Sequence, residues 1–196
     1  MNRFKVYRFF IFWIFKVLFP TRVINKERLK TNGPIVMVCN HMSLVDPIMI
    51  FGYSPRDIIF LGKKELFQNK LLGWALKLLR VIPVDRGHSD VEAIKKILKA
   101  LKSGEAVGVF PEGKRCAEGA LGEFHTGAAM IALKSGANIQ VLAYSRKIKL
   151  FRRTKLIVGP TLDMSRYSGK KIDHNAVSKV TEEIKYEMQK LIDSEI

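Results

Sequence analysis

The 196-residue chain is poor in acidic residues, in cysteine and in long apolar runs. It has 18 Asp and Glu against 34 Lys and Arg, so its formal net charge is +16 at pH 7. This shortage of acids predicts an anionic partner: a membrane surface, nucleic acid or an acidic substrate. The two cysteines, Cys39 and Cys116, have neither metal-ligand nor disulfide spacing, which suits a reducing cytosol. No repeat, linker or low-complexity segment divides the chain.

The segment from Phe4 to Phe19 is the most apolar part of the chain. Its uncharged centre, residues 9–15, is much shorter than the ~20 residues that cross a bilayer, and no signal-peptide cleavage site follows it. We predict a helix over 4–18 that lies in the membrane interface, with cations at lipid phosphates. The alternatives are a helix packed on the protein's own core and a re-entrant helix pair. The predicted membrane-binding residues are Phe9, Phe10, Phe12, Trp13 and Phe15.

Residues 146–155 form a second basic cluster, in which large apolar residues alternate with cations. This composition suits an anionic lipid, an acidic protein or a phosphate-bearing small molecule, and a solvated hairpin loop is the equal alternative. Because no nucleic-acid-binding motif accompanies these charges, we expect no nucleic-acid partner. The cluster consists of Arg146, Lys147, Lys149, Arg152, Arg153 and Lys155, with Ile148, Leu150 and Phe151 between them.

Short apolar strands alternate with helical patterns along the chain, which predicts a single layered α/β domain. We expect a mixed, mostly parallel sheet flanked by helices, with its last two strands forming a hairpin around the basic cluster. Three helix caps are expected: Asp46 for the helix at 47–51, Ser89 with Glu92 for the helix at 90–102, and Thr126 for the helix at 127–135. The predicted strands are 35–40, 57–61, 81–84, 106–110, 139–144 and 155–158, and the predicted helices are 4–18, 47–51, 70–79, 90–102, 127–135 and 175–193.

The first predicted strand ends at Asn40, and His41 follows, with Asp46 five residues beyond the histidine. A histidine at a strand-to-helix turn, with a carboxylate that fixes its tautomer, has what general-base catalysis needs. Taken alone, this spacing is a weak signal, because a solvated histidine beside a helix cap has the same pattern.

Two further segments follow in chain order: residues 82–87 (IPVDRG) and residues 110–115 (FPEGKR). Together with residues 40–47 (NHMSLVDP) they resemble, in the same order, the motifs of the glycerolipid acyltransferase family, which includes the lysophosphatidic acid acyltransferases. The resemblance spans residues 35–160. It implies that His41 and Asp46 are catalytic and that the acceptor is bound by Arg86, Glu112, Gly113, Arg115 and Lys63.

The reaction that the resemblance implies moves an acyl group from a thioester to the sn-2 hydroxyl of lysophosphatidic acid, giving phosphatidic acid. The donor is acyl-coenzyme A or acyl-acyl-carrier-protein, and no metal or bound cofactor is expected. His41 takes the hydroxyl proton, Asp46 orients His41, and the guanidinium fork of Arg86 holds the acceptor phosphate. Glu112 is expected to accept a hydrogen bond from the acceptor or to hold Arg115. Backbone amides after Glu112 are the expected oxyanion donors.

Two departures from the family pattern limit what the resemblance implies. Lys114 and Cys116 stand where the third motif usually has Thr and Ser, and the strand at 139–143 lacks the usual proline, so acyl-chain preference does not carry over. A thiol nucleophile is the lesser alternative for the two cysteines. Two alternatives remain open. The acceptor is glycerol 3-phosphate or another lysophospholipid, or the protein is a catalytically silent membrane-binding scaffold. We predict a membrane-interface helix over 1–22 and an acyltransferase domain over 23–196, at the cytoplasmic face of the cell membrane.

Overall fold

A mixed sheet with helices on both faces is built by residues 3–30, 32–85 and 90–194, which the computed structural model describes. For residues 3–9, 11 and 30 the description covers the backbone only. The strands are β1 (Thr21–Ile24), β2 (Ile35–Cys39), β3 (Ile58–Lys63), β4 (Val81–Val84), β5 (Ala106–Val109), β6 (Asn138–Tyr144) and β7 (Thr154–Leu162). The helices are α1 (Arg3–Leu18), α2 (Asp46–Tyr53), α3 (Lys70–Leu78), α4 (Val91–Lys102), α5 (Gly127–Ser135) and α6 (His174–Asp193), with short 3₁₀ turns at Lys26–Lys30, Lys64–Phe67 and Ser165–Tyr167.

The strand order is β1-β7-β6-β2-β5-β3-β4, and every pair is parallel except the β6–β7 hairpin. The predicted mixed, mostly parallel sheet and its terminal hairpin are confirmed. The sequence analysis missed β1, because four residues without a clear alternation give too short a signal. Since β1 is parallel to β7, its first residue lies at the same edge of the sheet as the carboxyl end of β2.

Two apolar layers bury the sheet, one on each face. The central strand β2 is buried along its whole length: Val36 and Val38 contact the layer under α4, α5 and α6, and Ile35 and Met37 contact the layer under α2. Burial on both faces explains why β2 is a continuous apolar run without alternation. The sheet is therefore a rigid support for the polar segments that follow its strands.

Two predicted helix caps differ from the structure, and the third, Thr126, is the N-cap residue of α5 but its side chain accepts no capping hydrogen bond. Asp46 is the first residue of α2, and its carboxylate accepts from the backbone amides of Met42 and Ser43, at 2.7 Å each, so it caps the preceding turn. Asp90 caps α4 by accepting from Ala93 N, whereas Ser89 lies outside the described residues. The sequence alone offered several oxygen-bearing residues near each helix start and no way to choose among them.

Helix α1 packs against the protein through one side. The ring of Phe12 lies over Gly52 of α2 and meets Tyr53 edge-on, with a centroid separation of 5.2 Å. Phe15 packs against the apolar layer beside α2 and contacts Phe19 at 5.6 Å. Phe12 and Phe15 are therefore partly buried by the domain itself, and their contact with lipid stays a prediction. Among the described helices, none is long and apolar enough to cross a bilayer.

The other side of α1 is exposed. Phe10 is 60% exposed and Trp13 46%, and Lys16 lies 4.6 Å from the centroid of the Trp13 ring. Ile14 and Val17 are exposed on the same side. The predicted side-chain role of Phe9 lies outside what the structure describes. Because residues 12, 15 and 19 share one side of a 3.6-residue repeat, the periodicity of the helix divides its apolar residues between the protein and its surroundings.

The Gly52→Ala substitution is expected to destabilise the domain by separating α1 from α2. An added Cβ at Gly52 lies 1.7 Å from Phe12 Cδ2, so the ring must move. We expect a net loss of about 1–2 kcal/mol, since overpacking costs about 1–3 kcal/mol and alanine regains up to about 1 kcal/mol of helix propensity. Urea unfolding measures this. Gly127→Ala is the matched control, because nothing lies within 4 Å of its added Cβ; equal midpoints for the two variants would contradict the packing.

Candidate active site

The segments after β2 and β5 meet at one edge of the sheet. These strands are parallel neighbours, with Val38 opposite Val109, so residues 40–47 and 110–116 emerge side by side. The strands β3 and β4 end at the same edge, where Lys63 is opposite Val84. We call this edge, at the carboxyl ends of β2 and β5, the site edge. Functional sites of open α/β sheets form at such strand ends.

His41 and Asp46 contact each other at the site edge, with His41 Nδ1 3.0 Å from Asp46 Oδ2. The side chain of Asp46 is fully buried, while that of His41 is 16% exposed. The same Oδ2 atom accepts from Met42 N and Ser43 N, so one carboxylate oxygen organises the whole turn. With Nδ1–H donating to the carboxylate, Nε2 carries the lone pair. This is the tautomer that a general base requires.

The ring of His41 is also held by aromatic packing. It stacks on Phe110 with a centroid separation of 4.2 Å and an interplanar angle of 24°, and Phe110 stacks in turn on Phe60 at 6.0 Å. Phe110 directly follows β5 and Phe60 lies within β3. The plane of the imidazole is therefore set by two strands adjacent to each other in the sheet.

Glu112 binds the backbone of the histidine turn. Its Oε2 accepts from His41 N at 2.6 Å and its Oε1 accepts from Gly122 N at 3.2 Å. The side chain is only 1% exposed, and this burial raises the pKa of Glu112, while the two backbone donors act in the opposite direction. Both carboxylate oxygens are occupied inside the protein. The arrangement therefore differs from the predicted contact with the acceptor or with Arg115.

A second main-chain bond ties the two segments together. Cys116 N donates to His41 O at 2.8 Å, so both backbone groups of His41 are bound by the 112–116 segment. Gly113 N donates to Phe110 O at 3.1 Å and closes the turn. Its φ of +64°, and the 2.9 Å between an added Cβ and His125 Cδ2, require glycine here. The predicted binding residue Gly113 thus shapes the turn that holds the histidine.

The predicted acceptor-binding cations differ in their surroundings. Arg115 is exposed, and in the part of the chain that the structure describes it has no ion pair or hydrogen bond. Lys63 Nζ lies 3.2 Å from Glu65 Oε1, with both side chains about half exposed. Arg86 lies outside the described residues. Arg115 and Lys63 are both at the site edge, because they follow β5 and end β3.

Asn40 and Tyr144 support the turn in a way that the sequence did not indicate. Asn40 Nδ2 donates to Tyr144 O at 3.1 Å and Asn40 Oδ1 accepts from Tyr144 N at 2.8 Å, which joins the ends of β2 and β6. The Tyr144 hydroxyl donates to Asp46 O at 2.9 Å. Burial raises the pKa of Tyr144 well above its usual range, so the phenol remains a donor. These partners are 98 to 104 residues apart, beyond any local pattern.

The two cysteines do not offer thiolates at the site. Cys39 is fully buried, and burial, with the nearby charges of Asp46 and Glu112, raises its pKa well above the usual value. Burial also raises the pKa of Cys116. A thiol of raised pKa is a poor nucleophile at neutral pH. Among the described residues, no cluster of His, Cys, Asp and Glu has the arrangement of a metal site.

The basic cluster before β7 is partly neutralised by the segment after Arg115. Lys149 Nζ and Arg152 Nη2 lie 3.4 and 3.6 Å from the carboxylate of Glu118. Ile148 is buried, whereas Leu150 and Phe151 at the tip are 55% and 69% exposed. The loop is therefore neither a free solvated hairpin nor a uniformly basic surface.

Comparison with known proteins identifies relatives of most of the chain. The acyltransferase family model matches residues 20–145. The 1-acyl-sn-glycerol-3-phosphate acyltransferase of Bacillus subtilis is 38% identical over 153 residues, which cover 75% of this chain and 76% of that protein. The Streptococcus pneumoniae protein of the same name is 31% identical over 163 residues, which cover 80% of this chain and 60% of that protein. In fold, the chain is similar to the LPA acyltransferase PlsC of Thermotoga maritima, with a TM-score of 0.68, 22% identity and coverage of 97% and 79% of the two chains.

Proposed function

The chain belongs to the acyltransferase family, and we propose that it esterifies the sn-2 hydroxyl of 1-acyl-glycerol-3-phosphate, giving phosphatidic acid. The acyl donor is a thioester, either acyl-coenzyme A or acyl-acyl-carrier-protein. The observation that carries the proposal is the 3.0 Å contact between His41 Nδ1 and the buried Asp46 carboxylate, at the edge where the acyltransferase motifs meet. Relatives named for this acceptor at 38% and 31% identity support it.

In the proposed reaction the acceptor hydroxyl oxygen attacks the thioester carbonyl carbon while His41 Nε2 takes the hydroxyl proton. The buried negative charge of Asp46 stabilises the imidazolium that forms. The tetrahedral intermediate then collapses, the carbon–sulfur bond breaks, and the leaving thiolate takes the proton from His41. No acyl-enzyme intermediate, metal or bound cofactor takes part, so the residues at the site edge supply the whole mechanism.

Hydrogen-bond donors for the oxyanion are proposed at the 112–116 turn. The amides of Gly113 and Cys116 are already occupied, by Phe110 O and His41 O. Within the described residues, the amides of Lys114 and Arg115 donate to no protein acceptor. These two amides adjoin a segment that is bonded to both backbone groups of His41. Donors fixed before the reaction begins stabilise developing charge most effectively.

Acceptor binding is assigned to cations around this turn. Arg115 is exposed and forms no ion pair within the described residues, which suits a residue that binds a phosphate monoester. Lys63 stands at the same edge, and the resemblance to the family assigns Arg86 to the same role. A largely apolar cavity of about 440 Å³ lies between α4, α5 and the ends of β3 to β5, and it reaches Phe110 and Gly113. We assign it to acyl-chain binding because of its apolar lining.

We propose that the protein works on the cytoplasmic face of the cell membrane, as a peripheral or monotopic enzyme. The exposed side of α1, with Phe10 and Trp13, supports contact with lipid. An acyl carrier protein is a further proposed partner, and nucleic acid is not part of the proposal. The positive net charge of +16 favours an anionic surface over a neutral one.

Release of free thiol from acyl-coenzyme A and from acyl-acyl-carrier-protein, in detergent micelles, tests this function. We expect release that requires 1-acyl-glycerol-3-phosphate, with phosphatidic acid as the product by mass spectrometry. Glycerol 3-phosphate and a neutral lysophospholipid form the acceptor panel, and a stronger response to either would reassign the acceptor. If neither donor is consumed with any acceptor while the folded protein still binds vesicles, the chain is a membrane-binding scaffold.

The Glu112→Gln substitution separates positioning from acceptor binding. Gln presents one acceptor where Glu112 presents two, so its NH₂ group must face either His41 N–H or Gly122 N–H. We expect kcat to fall by roughly 10–100-fold, because small displacements of a base are costly, and stability to fall by about 1–3 kcal/mol. Acceptor KM should change less than threefold. A rise in KM alone would instead place Glu112 in contact with the acceptor.

The matched control for this variant is Glu118→Gln, which lies in the same segment. Glu118 forms exposed ion pairs with Lys149 and Arg152, and such pairs contribute about 1 kcal/mol or less. Its kcat should stay near that of the unmodified chain. Thermal unfolding and steady-state kinetics on the two variants, prepared in parallel, give the comparison.

A further inference from the structure

A second cavity, of about 300 Å³, opens between the end of α1, the start of β1 and the start of β7. Three cations line it: Lys16 from α1, Arg22 from β1 and Arg153 from the loop before β7. Arg22 and Arg153 are more than 130 residues apart in the chain. The tertiary structure therefore gathers them, and no motif in the sequence marks the group.

The cavity has positive charge without a compensating acid. In the part of the chain that the structure describes, no carboxylate lies within salt-bridge distance of Lys16, Arg22 or Arg153. Their neighbours Lys149 and Arg152, by contrast, are both paired with Glu118. Three like charges around one cavity repel each other, and an anion relieves that repulsion.

The hydroxyl groups of the cavity are already used as donors. Tyr53 donates to Thr21 O at 2.7 Å, and Thr21 donates its hydroxyl to Phe19 O at 3.0 Å. Among the side chains that line the cavity, the ammonium and guanidinium groups are therefore the donors that remain for a bound anion. Such charge-assisted donors are the ones that bind phosphate oxygens in proteins.

Exposed apolar side chains lie close in the chain to the cations that line the cavity, and they favour a lipid over a soluble anion. Val17 and Phe151 are each 69% exposed, and Leu150 is 55% exposed. Phe151 N donates to Leu18 O at 2.7 Å, which places the loop tip beside the end of α1. Protein surfaces that enter the membrane interface combine cations with exposed large apolar residues in this way. An acidic protein or a free phosphate does not require the apolar surroundings.

The cavity faces the same way as the candidate active site. Thr21 pairs with Thr154, and β7 runs antiparallel to β6, which is parallel to β2. The first residues of β1 and β7 therefore lie at the site edge. Three inter-strand spacings separate β1 from β2, roughly 14 Å at about 4.8 Å each. A lipid held here places the membrane surface next to the edge where His41 lies.

We propose that this cavity binds the phosphate head group of an anionic membrane phospholipid that is not the reacting acceptor. Lys16, Arg22 and Arg153 supply the charge-assisted hydrogen bonds, and the acyl chains of that lipid lie along Val17, Leu150 and Phe151. The bound lipid holds the site edge against the bilayer. The binding itself does not depend on the proposed reaction, so it is tested without an activity measurement.

Partition onto vesicles of phosphatidylglycerol mixed with phosphatidylcholine, against phosphatidylcholine alone, tests the proposal. The Arg22→Gln/Arg153→Gln variant should bind the anionic vesicles on the order of 30-fold more weakly, about fivefold for each charge. Its binding to phosphatidylcholine vesicles should be unchanged. The charge-matched control is Lys179→Gln/Lys185→Gln on α6, which packs against the opposite face of the sheet and should lose less than threefold.

Equal losses in the cavity variant and the control variant would overturn the proposal, because only net charge would then matter. A weakened contact with acyl carrier protein, at unchanged vesicle affinity, would also overturn it and assign the cavity to the donor. Circular dichroism on each variant checks folding. If the double variant does not fold, the Arg153→Gln variant alone should show the fivefold loss, and its absence would contradict the site.

Discussion

The His41→Ala variant should lose acyl transfer by about 10²–10⁴-fold, the range that a general base contributes, while retaining its fold. The turn is held by bonds that alanine keeps: His41 N to Glu112, and Cys116 N to His41 O. Only the imidazole is removed, with its stacking on Phe110 and its contact with Asp46 Oδ2. The measurement is acceptor-dependent thiol release, with thermal unfolding on the same preparation to show that the variant is folded.

The control for this variant is His125→Ala, which removes the other histidine near the motif. His125 is exposed and lies over Gly113, and its backbone amide donates to Pro111 O. No carboxylate is within hydrogen-bond distance of its ring in the described part of the chain. We expect kcat to stay within about threefold of the unmodified chain; because His125 lines the cavity assigned to the acyl chain, an effect on donor binding would appear in the donor KM instead. A reversed outcome, with His125→Ala inactive and His41→Ala active, would reassign the base.

The Asp46→Asn variant should lower kcat by about 10²–10⁴-fold and change the structure little. Asp46 Oδ2 accepts from the His41 ring, Met42 N and Ser43 N, and the amide oxygen of asparagine can take its place. The NH₂ group then occupies the position of Oδ1, which is buried and has no protein partner among the described residues. An unpaired buried amide costs about 1–3 kcal/mol. What the variant loses is the charge that stabilises the imidazolium.

The Asp46→Ala variant distinguishes charge from architecture at the same position. It leaves Met42 N and Ser43 N without an acceptor, at about 1–3 kcal/mol each, so its unfolding midpoint should fall further than that of Asp46→Asn. The two variants should share the loss of kcat. If Asp46→Asn keeps a kcat near that of the unmodified chain while Asp46→Ala loses it, the carboxylate organises the turn and its charge is not needed.

Local pattern in the sequence was sufficient for the order of the helices and of every strand except β1. The buried run of β2 and the amphipathic pattern of α6 each follow from residue spacing, and their alternation predicts the α/β class. The short link between β6 and β7 predicts the hairpin that makes the sheet mixed. The order of three motifs identified the family, which the comparisons confirm. The elements and the hairpin depend on neighbours within one element or one turn, and the motifs are read from their order along the chain.

Contacts between distant segments required the tertiary structure. Glu112 is 71 residues from its partner His41, and Asn40 is 104 residues from Tyr144. Which group each side chain meets depends on strand order and register, and local propensity carries no information about either.

For the same reason, the helical pattern of α1 did not show which of its aromatic residues pack against the domain. In the structure, Phe12 packs on Gly52 while Trp13 is exposed. The sequence predicted which residues carry the chemistry, His41 and Asp46 above all. The folded sheet decided that Glu112 faces the histidine turn and that Lys16, Arg22 and Arg153 share one cavity.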